Sequence, residues 1–132
     1  MRGRRGRRVG LLGRALTELA RLDYCYLTTR GRVTGKPHTI EIWFGLERDT
    51  LYLMSGGRDR SDWVKNLLAD PAVEVRVGDE TFNAAARVVE DPEEDALTRR
   101  VLVEKYASAE DDLSEWGRTA LPIALDLSDE RS

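Results

Sequence analysis

Leu27-Thr-Thr-Arg-Gly-Arg-Val-Thr-Gly-Lys-Pro-His-Thr39, running directly into Ile40-Glu-Ile-Trp-Phe44, is the stretch that decides the fold. β-Branched and apolar residues on both sides enclose a short connection holding Gly31, Gly35 and Pro37, the pattern of a β-hairpin. The chemistry of the connection is as informative as its shape. Between Thr28 and Lys36 lie three cations (Arg30, Arg32, Lys36), three threonines (Thr28, Thr29, Thr34) and two glycines. Cations, hydroxyls and closely approachable backbone N–H groups are together what a phosphate requires. The plainer reading of the same residues is a basic, solvated hairpin tip.

The flanking segments extend the β pattern. Tyr24–Arg30 and His38–Gly45 form the first hairpin, and Thr50–Ser55 follows a turn at Glu47-Arg48-Asp49. Asp59–Ala69 reads as a helix capped by Ser61 or Asp59, with Trp63, Asn66, Leu67 and Leu68 on one side and Asp70-Pro71 as its stop. Val73–Val77 alternates with Glu74 and Arg76, turns at Gly78-Asp79-Glu80 and returns as Thr81–Val89. Pro92 opens a helix to about Tyr106, with Glu93, Glu94 and Asp95 complementing its dipole. The last strand is Leu121–Leu127, which Pro122 restricts to an edge or to its first residue. From Leu11 to Leu22 the apolar residues fall mainly on one helical face. The expectation is a mainly β (α+β) domain, a six-stranded antiparallel barrel with an N-terminal helix and two further helices over its openings.

Length and composition bound the rest. A chain of 132 residues is one domain by size, here a disordered basic arm over 1–10 and a single domain over 11–132. The single cysteine, Cys25, excludes an internal disulfide, and with one histidine it argues against a protein-built zinc site. Cys25 sits in an apolar run and reads as core. Residues 1–36 hold ten basic and two acidic side chains, net +8, whereas the remaining 96 hold 11 basic and 22 acidic, net −11. An anionic ligand near the first hairpin fits this asymmetry, and an acidic body argues against nucleic acid. Arg7-Arg8 before Val9-Gly-Leu-Leu12 faintly suggests a twin-arginine or Sec signal, but Arg14, Glu18 and Arg21 interrupt the apolar region and no small-residue cleavage site follows. No apolar run reaches the roughly 18 residues of a membrane span, and the expected location is cytoplasmic.

A second segment adds to the hairpin: Ser55-Gly-Gly-Arg-Asp-Arg-Ser-Asp-Trp-Val-Lys-Asn-Leu-Leu-Ala-Asp-Pro71. A strand ending in Ser-Gly-Gly before a helix offers exposed N–H groups to an anion or carbonyl. In order, the chain has T-T-R-G-R-V-T-G-K-P, a W-F strand, S-G-G, W-V-K-N-L-L-A-D-P and a Val-alternating hairpin. This order resembles the deazaflavin-dependent nitroreductase and quinone reductase family of the flavin-binding split-barrel superfamily. The likeness runs from about Leu27 to Val89 and continues more weakly through Lys105-Tyr106-Ala-Ser108 and Trp116-Gly-Arg-Thr-Ala-Leu-Pro-Ile123.

The resemblance implies a split barrel with a cofactor lying along the first hairpin. Arg32, Thr34, Gly35 and Lys36, with His38, would hold the phosphate or anionic tail of the deazaflavin coenzyme F-420. Trp43, Phe44, Ser55, Gly56 and Gly57 would border its ring, and Trp63 would pack in the core at its edge. Hydride would pass to an electron-poor small molecule such as a quinone, enone or nitro compound, with Ser55 or Tyr106 as candidate proton donors and a homodimer as the assembly. FMN on the same barrel and a non-enzymatic flavin or deazaflavin carrier are the alternatives. The chain departs from the family at Val33 and His38, where many members carry further cations, and His38 is a weaker partner for a polyanion. The acceptor-pocket tyrosines of nitroreducing members are absent from Ala109-Glu-Asp-Asp-Leu113.

Overall fold

The computed structural model describes residues 16–108 and 112–128. The basic arm and the first part of the N-terminal helix lie outside the described residues, of which 16–19 are helical. The chain then forms β1 (Cys25–Arg30), β2 (Pro37–Ile42), β3 (Gly45–Glu47), β4 (Thr50–Ser55), a 3-10 turn (Arg58–Arg60), α1 (Asp62–Ala69), β5 (Ala72–Val77), β6 (Glu80–Val88), α2 (Pro92–Lys105), α3 (Ser114–Thr119) and β7 (Leu121–Leu127).

One antiparallel sheet contains all seven strands in the order β2-β1-β5-β6-β7-β4-β3. The seventh arises because the segment read as one strand over His38–Gly45 is two. β2 pairs with β1, ending at Ile42 opposite Cys25, whereas β3 pairs with β4, starting at Gly45 opposite Tyr52. These strands are the two outer edges of the sheet, yet only Trp43 and Phe44 separate them. Three extended residues reach about 10 Å at most, so the edges must stand side by side and the sheet must curl into a half-barrel. The expected split barrel is therefore present with seven strands, and α3 is an addition to the two expected helices.

Burial follows the curl. The inner face gathers Leu27, Phe44, Leu51, Leu53, Val75, Phe82, Ile123 and Leu125 into the main core, all at 0% exposure. Each such side chain contributes about 1.5–3 kcal/mol of transfer free energy. Across the sheet, α2 and α3 cover the outer face of β4 and β7, where Tyr52, Met54, Leu102 and Ala124 form a second cluster with Trp116. β4 is therefore buried on both faces, which explains its unbroken Leu-Tyr-Leu-Met run. β5, covered on one face only, keeps strict alternation.

Three local expectations change. β7 is an interior strand between β6 and β4, not an edge. Pro122 is tolerated because pairing with β6 begins one residue later, at Ile123, and the Pro122 carbonyl accepts from the Val89 N–H at 3.0 Å. Asp59–Ala69 is not one helix: the 3-10 turn and α1 are separated by Ser61, whose extended backbone serves as N-cap without a side-chain cap bond. Leu68 is 54% exposed and lies off the buried face of α1, which consists of Val64, Asn66 and Leu67.

Candidate functional site

The six residues between β1 and β2 form an ordered loop. The Gly31 N–H donates to the Lys36 carbonyl at 2.7 Å, and the Gly35 N–H donates to the Gly31 carbonyl at 2.8 Å. Gly35 has φ 77°, a left-handed conformation that a Cβ would strain. The loop is fastened to α1 through Arg32. Its backbone N–H and its Nη1 both donate to Asn66 Oδ1, at 3.2 and 2.7 Å, and its Nη2 pairs with Asp62 Oδ1 at 3.2 Å. Asn66, 5% exposed, completes the link by donating from Nδ2 to Thr29 Oγ1 at 3.2 Å. A side-chain amide suits this position because it accepts and donates at once.

A cleft of about 510 Å³ opens between the loop and α1. Arg32, Thr34, His38 and Trp63, four of the expected binding residues, line it together with Asp62 and Asn66. Trp63 is half-buried and packs against the main core, not within it as expected. Gly35 faces a neighbouring depression beside Arg30 and Pro37, and Lys36 is exposed on the loop.

A second cleft, of about 520 Å³, lies at the other end of β2. Its walls include Ile42, Trp43, Met54, Leu113 and Trp116. Trp43 stacks on Tyr106 and meets Trp116 edge to face, with centroids 5.6 Å apart. The turn after β4 adjoins this wall, since a Cβ on Gly56 would stand 3.7 Å from Trp116 Cδ1. Gly57 belongs to the turn itself, and a Cβ there would meet Ser61 Oγ at 2.7 Å. The Arg58 guanidinium donates to the Thr119 carbonyl and so joins this turn to the end of α3. His38 and Trp43 are five residues apart along an extended segment, about 17 Å at the rise of a β-strand. The two clefts thus flank a single edge strand, one bordered by Arg32 and the other by Trp43 and Trp116 with Glu41 and Asp112 beside them.

Phe44 is fully buried in the main core, with the Lys105 Nζ 3.7 Å above its ring, and lines neither cleft. Lys105 Nζ also donates to the Phe44 carbonyl at 2.9 Å, and burial pulls its amine down to about 8. The two hydroxyls considered as proton donors are engaged with backbone. Ser55, 2% exposed, donates to the Arg58 carbonyl at 2.9 Å and contacts Ser61 Oγ. Tyr106 accepts from the Phe44 N–H at 3.0 Å and donates to the Asp23 carbonyl at 2.8 Å. Burial pushes its phenol up to about 12. Cys25 is core as expected, and burial raises its thiol to about 12. No group of three or more His, Cys, Asp or Glu able to hold a metal occurs among the described residues.

Comparison with known proteins places this architecture. The sequence profile of the F-420H(2)-dependent quinone reductases matches residues 3–128. The chain belongs to that family. It is accordingly an oxidoreductase of the F-420H(2)-dependent quinone reductase family, as the hairpin and helix motifs implied. Solved structures share the fold at low identity. A conserved hypothetical protein from Mycobacterium tuberculosis is 20% identical over 83% of this chain and 76% of its own, with a TM-score of 0.67. A reductase dependent on reduced F-420 is 23% identical over 78% of this chain and 93% of its own, with a TM-score of 0.63. A haem storage protein from Vibrio cholerae is 17% identical over 86% of this chain and 88% of its own, with a TM-score of 0.64. The same curled sheet serves differently described proteins, so function has to be argued from the clefts.

Sequence reasoning missed the partners that fix Arg32, and it missed Met54 and Leu113 as walls of the second cleft. Asp62 and Asn66 lie 30 and 34 residues from Arg32. The available signal was an amide on the otherwise apolar buried face of α1, where a polar group requires a partner.

Proposed function

We propose that this chain passes hydride from the reduced deazaflavin coenzyme F-420 to an electron-poor small molecule: a quinone, an enone or a nitro compound. The observation that carries the reading is the pairing of the two clefts along β2, a fixed guanidinium in one and the Trp43–Trp116 aromatic walls in the other. A coenzyme with an anionic tail and a flat ring matches that division, and family membership supports the choice of F-420.

The residues present fit such a group. Arg32, Thr34 and His38 would hold the anionic portion, with Gly35 and Lys36 on the loop beside them. Trp43 and Gly56, with Trp63 at the near edge, would border the ring, while Phe44, Ser55 and Gly57 are their neighbours along the chain. When bound, the reduced coenzyme supplies hydride. The protein supplies orientation, through the Arg32–Asn66 anchor, and exclusion of water, through the aromatic walls. With Ser55 and Tyr106 committed to backbone carbonyls, the proton comes from solvent.

A phosphate monoester makes fewer demands than a polyanionic tail, and Arg32 is a single fixed guanidinium in its cleft, which keeps FMN as the second reading. A homodimer is part of the proposal and is supported by a relative described as a domain-swapped dimer. The deciding experiment titrates F-420 and FMN against tryptophan fluorescence, then follows oxidation of reduced F-420 with a water-soluble quinone and a nitroaromatic. Saturable F-420 binding with acceptor-dependent oxidation is the expected result. Binding of FMN alone would transfer the site to the second reading, and binding of F-420 with no oxidation by any acceptor class would make the chain a carrier.

A further inference from the structure

Arg32 is not a free cation. Its Nη2 pairs with the Asp62 carboxylate at 3.2 Å, and its Nη1 is shared between Asn66 Oδ1 at 2.7 Å and the Asp62 carbonyl at 3.5 Å. The two acceptors differ in kind. Asn66 is buried and neutral, and it fixes the guanidinium to the fold. Asp62 is charged and its side chain is 85% exposed, against 34% for Arg32, so its carboxylate stands on the solvent side of the cleft. Any anion reaching Arg32 from solvent meets Asp62 in the same small space.

We propose that Asp62 is a specificity-determining residue, an internal anion that competes with the ligand's anionic group for the outer N–H groups of Arg32. The proposal rests on the reading of this cleft as the anion end of the coenzyme site. In the resting protein Asp62 pairs with Arg32 at the wall of the cleft. On binding, the ligand either displaces this carboxylate or binds beside it against its charge. The cleft thereby holds its ligand's phosphate less tightly than an unpaired arginine would, and it disfavours ligands carrying several negative charges more than those carrying one. Because the pair is exposed, the penalty is modest and screened by salt.

The test measures dissociation constants by tryptophan fluorescence for Asp62→Asn, Arg32→Ala and the unmodified chain. The probes are F-420 and its ribityl-deazaflavin fragment, which lacks the phosphate and tail. Asp62→Asn keeps the shape and removes the charge. It should bind F-420 about two- to fivefold more tightly at low salt, the range of one exposed ion pair, and the fragment as before. The gain should shrink in about 0.5 M salt, where the screening length falls to a few ångströms. Equal or weaker F-420 binding by Asp62→Asn, with binding lost in Arg32→Ala, would overturn the role of Asp62 alone. Unchanged F-420 binding in both variants would remove the anion from this cleft and overturn the site reading with it. Matching thermal melts of Asp62→Asn and the unmodified chain show that the comparison is between folded proteins.

Discussion

Trp43 and Tyr106 stack face to face, their ring centroids 4.1 Å apart and their planes 3° from parallel. The stack sits where the chain steps from one edge of the sheet to the other, and the Tyr106 hydroxyl fixes that step. It accepts from the Phe44 N–H at 3.0 Å and donates to the Asp23 carbonyl at 2.8 Å. Tyr106→Phe keeps the stack and removes the anchor. A buried N–H left without a partner costs about 1–3 kcal/mol, so urea denaturation should show that loss with an unchanged slope. A loss under about 0.5 kcal/mol, the size of an ordinary surface substitution, would mean that the hydroxyl does not hold the barrel seam.

Close packing of α2 on the opposite edge gives a second prediction. A Cβ at Gly45, the first residue of β3, would lie 2.7 Å from Val101 Cγ1 on α2. Gly45→Ala should therefore destabilise by about 1–3 kcal/mol through overpacking. Val101→Ala removes the opposing methyl groups, so the double variant should recover part of that loss. Such coupling is the mark of direct contact. Strict additivity in thermal or chemical denaturation would show that the glycine is required for another reason.

The first hairpin, the Val-alternating hairpin and the long helix were legible in the sequence because each is encoded within its own segment. Pro92 and the acidic residues after it mark the start of α2, and the Asp91 side chain adds a cap by accepting from the Glu94 N–H at 2.9 Å. What was not legible depends on separation. His38–Gly45 carries one continuous β pattern, and only pairing with β1 on one side and β4 on the other divides it between two strands. For the site, the hairpin chemistry was visible locally, as was the Ser-Gly-Gly turn. The bonds that fix Arg32 arise between segments 30 or more residues apart, where periodicity carries no information. Ser61 illustrates the same limit: it occupies the expected cap position, but its hydroxyl is drawn to Ser55.

Acid should weaken the barrel at an identifiable place. Glu94 accepts from Arg87 Nη1 and Nη2, each at 2.8 Å, and from the Tyr52 hydroxyl at 2.7 Å. Arg87 first, and then Tyr52, hold its carboxyl down to about 2, from an ordinary value of 4.5. A carboxylate depressed in the folded state stabilises fully above its unfolded value, and that contribution is lost as pH falls toward the folded value. Between about pH 4.5 and 2 the protein should lose roughly 1–2 kcal/mol from this group. This is below the full linkage value because Arg87 is 41% exposed and solvent screens the pair. Glu94→Gln should flatten the dependence of melting temperature on pH in that window. An equally steep curve for Glu94→Gln would place the acid sensitivity elsewhere.

Arg32→Ala tests the candidate site and the fold together, because one side chain serves both. Binding of F-420 should weaken by about 1.5–3 kcal/mol, the worth of a hydrogen bond to a charged group. Read as a bare loop residue, Arg32 would leave stability untouched. Its bonds to Asn66 and Asp62 predict otherwise. Asn66 Oδ1 would keep only the backbone N–H at 3.2 Å, and the fold should lose about 1 kcal/mol, the usual net worth of one such bond. Arg32→Lys separates the two effects. An ammonium restores a charge for the ligand but cannot reproduce the fork that reaches Asn66 and Asp62 at once, so binding should recover in part while stability does not. Arg100→Ala, which removes an exposed cation from α2, is the control for net charge. If Arg32→Ala binds F-420 and FMN as tightly as the unmodified chain while its melting temperature falls, Arg32 belongs to the scaffold of the hairpin and the anionic ligand lies elsewhere.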